Sequence, residues 1–172
     1  SHRAAQVMSD LGIPSARKEE AASFVISSNR PEHLYIAFAN VARQNVANKQ
    51  LVFLSHGFEV PKAEQMRLAD VHGLESVTFI HAPESDSLGA NLNRLFASAD
   101  GDVLLRMDDD DYYGENYAKD LIHALAFSGS QVVGKAETYI YFEENNSTVL
   151  TYIGHGQRHT NFVRGATFCG PK

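Results

Sequence analysis

Four consecutive aspartates, Asp108 to Asp111, follow directly on the apolar run Val103-Leu104-Leu105-Arg106-Met107. Four carboxylates where a buried strand ends repel one another and raise one another's pKa unless a cation sits among them. The competing cause is an acidic turn or helix start, where aspartate is favoured anyway. Carboxylates suit Mg2+ or Mn2+, which keeps few protein ligands so that substrate phosphates complete its shell. That chemistry points to a phosphorylated ligand, a nucleotide first among them. Neither G-x-x-x-x-G-K-[ST] nor G-x-G-x-x-G follows any expected strand, so P-loop and dinucleotide-binding chemistry are not supported.

Other residues carry weaker signals. Arg30 follows the first apolar run, at the start of an expected helix where the dipole disfavours a cation, which allows either a solvated side chain or a functional one. His56 reads either as a loop histidine or as a contact to a base. His155 and His159 are four apart, but Gly154 and Gly156 disfavour the helix that a shared metal would need, and two exposed loop histidines are expected. Tyr112 and Tyr113 suit packing beside the aspartates or leaning on a sugar face. Cys169 has no base partner in sequence and reads as a small buried hydrophobe.

These residues must be positioned by a sheet. From Ser23 onward, short apolar runs alternate with amphipathic stretches, the pattern of βαβ units and a mostly parallel sheet flanked by helices. Strands are expected at Phe24-Val25-Ile26, Leu51 to Leu54, Val77 to Ile80, Val103 to Met107 and Gln131-Val132-Val133. A helix is expected from Asn29 as N-cap with Pro31 in its first turn and Glu32 at the capping-box position. Others start at Pro61 and stop at Gly73, run from Ser87 to Ala99, and carry Tyr117, Leu121, Ala124 and Leu125 before a Gly129 cap. Thr138–Phe142 and Thr148–Ile153 flank a polar turn and form a C-terminal hairpin, and a last strand runs through Phe162-Val163 to Phe168. Ligands of open α/β sheets bind beyond the carboxyl ends of the strands, where strand order reverses. If the first and fourth strands are neighbours, Asn29, Arg30 and the aspartates share one crevice.

A chain of 172 residues with 44% hydrophobic content has material for one domain and is short for two. A net charge of −6 with a pI near 5.7 argues against nucleic acid or an anionic membrane as main partner, since both reward clustered Lys and Arg. One cysteine excludes an internal disulfide and fits the cytoplasm, with no transmembrane stretch. Residues 1–22 are expected to be a polar linker or helix and 23–172 the folded domain. With Ser at position 1 and a stop at Gly170-Pro171-Lys172, both ends are expected to be cut from a longer protein.

The order Ser23-Phe24-Val25-Ile26-Ser27-Ser28-Asn29-Arg30-Pro31, then Gln44, Leu51 to Gly57, Asn93 and Gly101-Asp102 leading to Asp108-Asp109-Asp110-Asp111, resembles the family two glycosyltransferases of the GT-A, Rossmann-like fold. The likeness covers about residues 23–168. Asp108 and Asp110 fall on the family's D-x-D motif, with Asp111 as the following acid; Arg164 to Phe168 resembles its Gly-rich strand under sugar and acceptor. The resemblance implies a nucleotide-diphosphate sugar held by Mn2+ or Mg2+ on Asp110, with Asp108 on the ribose or the metal's water shell. It implies a donor pocket of Ser27, Asn29, Arg30, His56, Asn93, Asp108 and Asp109, with Asp109 in the variable position of the motif. Asp111, Gly165 and Ala166 would face sugar or acceptor. Transfer to a glycan, lipid-linked or cell-envelope acceptor with inversion follows from the same likeness; the cytoplasm expected from the single cysteine would extend to the inner membrane face through segments outside this sequence.

Three departures stand out. His56 occupies the place of an Asp that meets the base, and Leu92 stands where an Arg commonly precedes the helix Asn. The family's general base lies after the Gly-rich strand, which puts it beyond Lys172. Two other functions compete. A nucleotidyltransferase shares the sheet and carboxylates but needs a basic glycine-rich loop, where this chain has Ser27-Ser28-Asn29. A non-catalytic nucleotide- or metal-binding module is the third.

Overall fold

The computed structural model describes residues 20–156 and 158–172; most of the expected N-terminal linker lies outside them. A five-stranded sheet organises the chain, with β1 (Ala22–Ser28), β2 (Lys49–His56), β3 (Ser76–Ala82), β4 (Val103–Arg106) and β7 (Cys169–Pro171) in spatial order β3-β2-β1-β4-β7. The first four are parallel, and β7 runs antiparallel to β4 with Leu105 opposite Cys169. The chain therefore steps outward from β1 to β3, then returns to place β4 on the other side of β1, with Ala22 opposite Val103 and Val25 opposite Arg106. The reversal of strand order lies between β1 and β4, where an open α/β sheet leaves a crevice.

Side chains alternate across a strand, and two separate cores result. On one face Phe24, Ile26, Leu51, Phe53, Val103 and Leu105 pack with Ala37, Phe38 and Val41 of α1 (Leu34–Ala42), Leu68 of α2 (Lys62–His72) and Ala118 and Leu121 of α4 (Tyr117–Ser128). On the other, Val25, Val52, Leu54 and Leu104 meet Leu95 and, more peripherally, Leu92 and Phe96 of α3 (Leu88–Ala97), with Ala99 just beyond its end. Full burial of each large side chain stabilises by roughly 1.5–3 kcal/mol, so three helices on one face and one on the other fix the sheet between them. Ser87 caps α3 by accepting the Ala90 N–H, and Gly73 and Gly129 close α2 and α4 in the left-handed conformation at φ 62° and 65°.

Three expectations are corrected. Asn29 does not cap a helix: the chain bends at Asn29, is extended at Arg30, makes a 3-10 turn over Pro31–His33 and only then enters α1. The local bond that sets this path is the Arg30 N–H to Ser28 Oγ at 3.0 Å, a side chain competing with helix geometry for the backbone. Gln131–Val133 does not form a strand; Val133 alone bridges Cys169. The stretch expected to be a strand to Phe168 contains a 3-10 turn over Gly165–Thr167, and the strand begins only at Cys169. Thr167 causes the detour, because its Oγ donates within the turn to Arg164 O at 3.0 Å and accepts the Lys135 N–H at 2.9 Å.

The hairpin is present, with β5 (Thr138–Phe142) antiparallel to β6 (Ser147–Thr151) and a short 3-10 turn over Glu143–Asn145. It forms a separate two-stranded sheet.

Candidate functional site

The parity that builds the two cores continues past the strand ends and decides where the carboxylates point. Phe24, Ile26 and Ser28 share one face with Val103, Leu105, Met107 and then Asp109, so Asp109 is aimed inward at Ser28 while its neighbours face outward. It is 3% exposed, against a half-buried Asp108 and exposed Asp110 and Asp111. Ser28 Oγ donates to Asp109 Oδ2, and the Arg30 guanidinium forks onto the same carboxylate, with Nε on Oδ2 at 3.1 Å and Nη2 on Oδ1. The remaining arm, Nη1, reaches Asp110 Oδ2 at 3.0 Å. His33 closes the far side, its Nδ1 3.5 Å from Asp109 Oδ2 and without a hydrogen-bond partner.

Burial alone would push the Asp109 pKa up, but the bonds from Arg30 and Ser28 outweigh it and hold the carboxyl below its ordinary value. Hydrogen bonds to Asp109 and then Asp110 raise the Arg30 pKa further above its already high value. The two arms of Arg30 differ in strength. The Asp109 side chain is 5% exposed and that of Asp110 is 48%, so the second pair is a solvent-screened contact worth about 0.2–1 kcal/mol.

Asp108 has its own cation. Arg106 Nη2 donates to Asp108 Oδ1 at 2.9 Å, and Gly165 makes room for that guanidinium, since a Cβ there would sit 2.9 Å from Arg106 Nη1. Arginines thus supply the neutralising charge that the aspartate run was expected to draw from a metal. Asp111 is left over: desolvation first, then Asp108 and Asp110, push its pKa up.

The loop after β4 is stapled to α1 by buried amides. Asn40 Nδ2 donates to Asp111 O at 2.7 Å, and Asn40 Oδ1 accepts the Tyr113 N–H at 3.2 Å. Gln44, 2% exposed, donates to Gly114 O at 3.2 Å and accepts the Ala118 N–H at 3.1 Å, joining the loop to the first turn of α4. Tyr113 is buried and its phenol links the cluster to the turn before β7, accepting the Asp108 N–H at 2.8 Å and donating to Ala166 O at 2.9 Å. Tyr112 instead lies open, with Arg43 4.4 Å over its ring.

The structure thus brings Arg30, Asp108, Asp109, Asp110, Asp111, Gly165 and Ala166 around one crevice. Ser27 is half-buried and Asn29 exposed at its β1 edge. His56 ends β2, its Nε2 3.1 Å from Glu84 O, and Asn93 is exposed on α3, where its neighbour Asn91 is the buried amide with an unpartnered Nδ2. His155 and His159 are exposed, and Cys169 is buried with its thiol pushed up to about 12 by desolvation. Sequence reasoning missed Ser28 and His33 and counted Asp109 with the donor-binding residues, in the variable position of the motif, rather than as the anchor of Arg30. The signal for Asp109 was the two-residue parity running on from Val103 and Leu105.

Among the described residues no three His, Cys, Asp or Glu side chains cluster as a ready metal cage. The donor set still fits Mg2+ or Mn2+ held in the sparse mode, since Asp108 and Asp110 are accessible hard-oxygen ligands and such ions commonly take one or two carboxylates plus substrate phosphates. No described helix is long and apolar enough to cross a membrane.

The fold is shared with solved GT-A glycosyltransferase structures. The mannosyltransferase PcManGT from Pyrobaculum calidifontis, in complex with GDP-Man and Mn2+, is 14% identical with a TM-score of 0.61, over 70% of this chain and 36% of that one. S. aureus TarS 1-349 is 17% identical with a TM-score of 0.54, over 65% and 34%. Its complex with UDP-GlcNAc gives 16% and 0.52, over 65% and 33%. The chain spans about a third of the length of these structures. No curated protein is significantly similar in sequence. The model of the family described as glycosyl transferase family 2 matches residues 24–169, most of the chain. With the switch-point crevice, the carboxylates after β4 and that match together, the chain belongs to glycosyl transferase family 2.

Proposed function

We propose that this chain is the donor-binding part of a metal-dependent glycosyltransferase, which takes a sugar from a nucleotide diphosphate and passes it, with inversion, to a glycan or cell-envelope acceptor. The observation that carries the reading is the Arg30 fork, which joins the end of β1 to Asp109 and Asp110 after β4 across the point of strand reversal. Two structural neighbours add support, one holding GDP-Man with Mn2+ and the other UDP-GlcNAc. The compartment that suits a user of nucleotide sugars with a single, buried cysteine is the cytoplasm.

Asp110 and Asp108 would hold Mn2+ or Mg2+, which when bound neutralises charge on the departing diphosphate. The chain's own residues do the remaining positioning. Ser27, Asn29 and His56 line the nucleoside side of the crevice, with Asn93 behind it on α3. Asp109 anchors Arg30 rather than filling a gap. Asp111, Gly165 and Ala166 face the sugar and acceptor. We assign none of the described residues as the base that deprotonates the acceptor.

Calorimetric titration of GDP, UDP, CDP and dTDP, with and without Mn2+, tests the reading on the intact chain and on Asp110→Ala. At least one nucleotide is expected to bind with Mn2+ and to lose that metal dependence in the variant. Equal affinity in all four conditions would refute the metal bridge.

A further inference from the structure

Asp110, the carboxylate expected to hold a cation, already has one beside it in Arg30. Arg30 is held from two sides: Nε and Nη2 grip the buried Asp109, and Nη1 reaches the exposed Asp110. The first contact is a planar fork on a carboxylate that also takes a bond from Ser28, so the guanidinium plane is fixed by the interior of the fold. The second is a single bond to a carboxylate that is 48% exposed, which solvent and salt weaken. One arm is therefore an anchor and the other is releasable. We infer that Arg30 is a built-in counter-ion for Asp110 that keeps a divalent cation from binding ahead of the nucleotide diphosphate.

This rests on the donor site proposed above and adds an order of binding to it. A metal approaching Asp110 alone must displace the Nη1 bond and sit beside a fixed positive charge. A diphosphate changes both terms. Its oxygens offer Nη1 another acceptor in the geometry a guanidinium prefers, and its charge offsets the repulsion between arginine and metal. Metal and nucleotide then bind with positive coupling, and the coupling is reciprocal. The Asp109 anchor keeps Arg30 at the crevice in both states, so the residue shifts one bond rather than leaving.

The test is Mn2+ titration followed by the electron paramagnetic resonance signal of free Mn2+, with and without GDP or UDP, on the wild-type chain, Arg30→Gln and Asp110→Asn. Arg30→Gln strands the buried Asp109 carboxylate and can unfold the chain, so the double variant Arg30→Gln, Asp109→Asn carries the same test with that charge removed. Wild type is expected to bind Mn2+ weakly alone and more tightly with nucleotide. Removing Arg30 is expected to tighten Mn2+ binding in the absence of nucleotide by up to about five-fold and to shrink the gain from nucleotide. If variants lacking Arg30 bind Mn2+ alone no better than wild type, while wild type still binds Mn2+ with nucleotide through Asp110, the counter-ion idea is wrong and the donor site stands. If wild type shows no Asp110-dependent Mn2+ binding even with nucleotide, the donor-site reading fails and the inference falls with it.

Discussion

Tyr113 and Asp108 are bonded through opposite parts of the same short loop: the backbone N–H of Asp108 ends on the phenol oxygen of Tyr113, which passes its own proton to the carbonyl of Ala166. A residue five positions downstream therefore fixes the backbone from which the first carboxylate projects, and ties it to the turn before β7. Burial pushes the Tyr113 pKa far above its usual value, so the phenol stays protonated and the relay keeps its direction.

Tyr113→Phe removes both bonds and the phenol's contact with the Asp111 carboxyl, while the ring keeps its packing. Each such bond contributes about 0.5–1.5 kcal/mol, so the variant is expected to lose roughly 1–3 kcal/mol, read as a lower urea midpoint at unchanged slope. A loss confined to nucleotide affinity with no change in midpoint would contradict a structural relay.

Gln44→Ala is expected to cost more than an ordinary surface change, by about 1–3 kcal/mol, because it strands the buried Ala118 N–H, while the Gly114 carbonyl keeps the Tyr117 N–H. Circular dichroism melts measure the loss. Asn40→Ala should match it in direction, since Asp111 O and the Tyr113 N–H lose their partner in the same way.

Asp109 and Asp111 should respond oppositely to pH. The Asp109 pKa is lowered in the folded state, so its contribution is complete above the unfolded value of about 3.9 and is lost as pH falls through the folded one. Asp109→Asn should thus be less stable than wild type at pH 7, with the gap narrowing below about pH 4. Asp111 has a raised folded pKa, so its ionisation opposes folding once pH rises past the unfolded value. Asp111→Asn should melt higher than wild type at pH 7 and lose that advantage in acid, a comparison made by scanning melts from pH 3 to pH 7.

Gly165→Ala places a methyl where Arg106 Nη1 sits, 2.9 Å away. The guanidinium is the flexible end of its side chain and can swing aside, so the melting temperature should change by only a few degrees. The Arg106 contact with Asp108 should be lost, and with it nucleotide affinity in the presence of Mn2+, measured by calorimetry. Arg106→Met should reproduce the binding loss without crowding the turn.

The parallel sheet, the four helices and the hairpin were readable because each depends on local periodicity and caps, such as Ser87 before α3 and Gly73 after α2. The crevice was readable too, because Asn29-Arg30 and the aspartates are polar interruptions at strand ends. What one sequence did not reveal was pairing between distant residues. Nothing local tells that Arg30 chooses Asp109 over solvent, that Thr167 bends the chain before β7, or that Gln44 closes a loop 70 residues away. Resemblance directed attention to Asp108 and Asp110, while simple alternation along β4 already marked Asp109 as the inward carboxylate.

The separation of β1 from β4 along the chain bears on how the protein folds. β1 meets β2 across about 27 positions, as in Ser23 to Gln50, whereas the Ser28 to Asp109 contact spans 81. Closing the longer loop costs only about 1 kcal/mol more in chain entropy, but it also brings the aspartate run to the end of β1 against its own repulsion. We therefore expect β1 to β3 to associate first and the crevice to be the last part to assemble. Pulsed hydrogen exchange during refolding would show it: the Met107 amide, bonded to Val25 O at 3.2 Å, should gain protection after the amides of β2. A chain whose Arg30 crevice has closed is then, by construction, a chain that has finished folding.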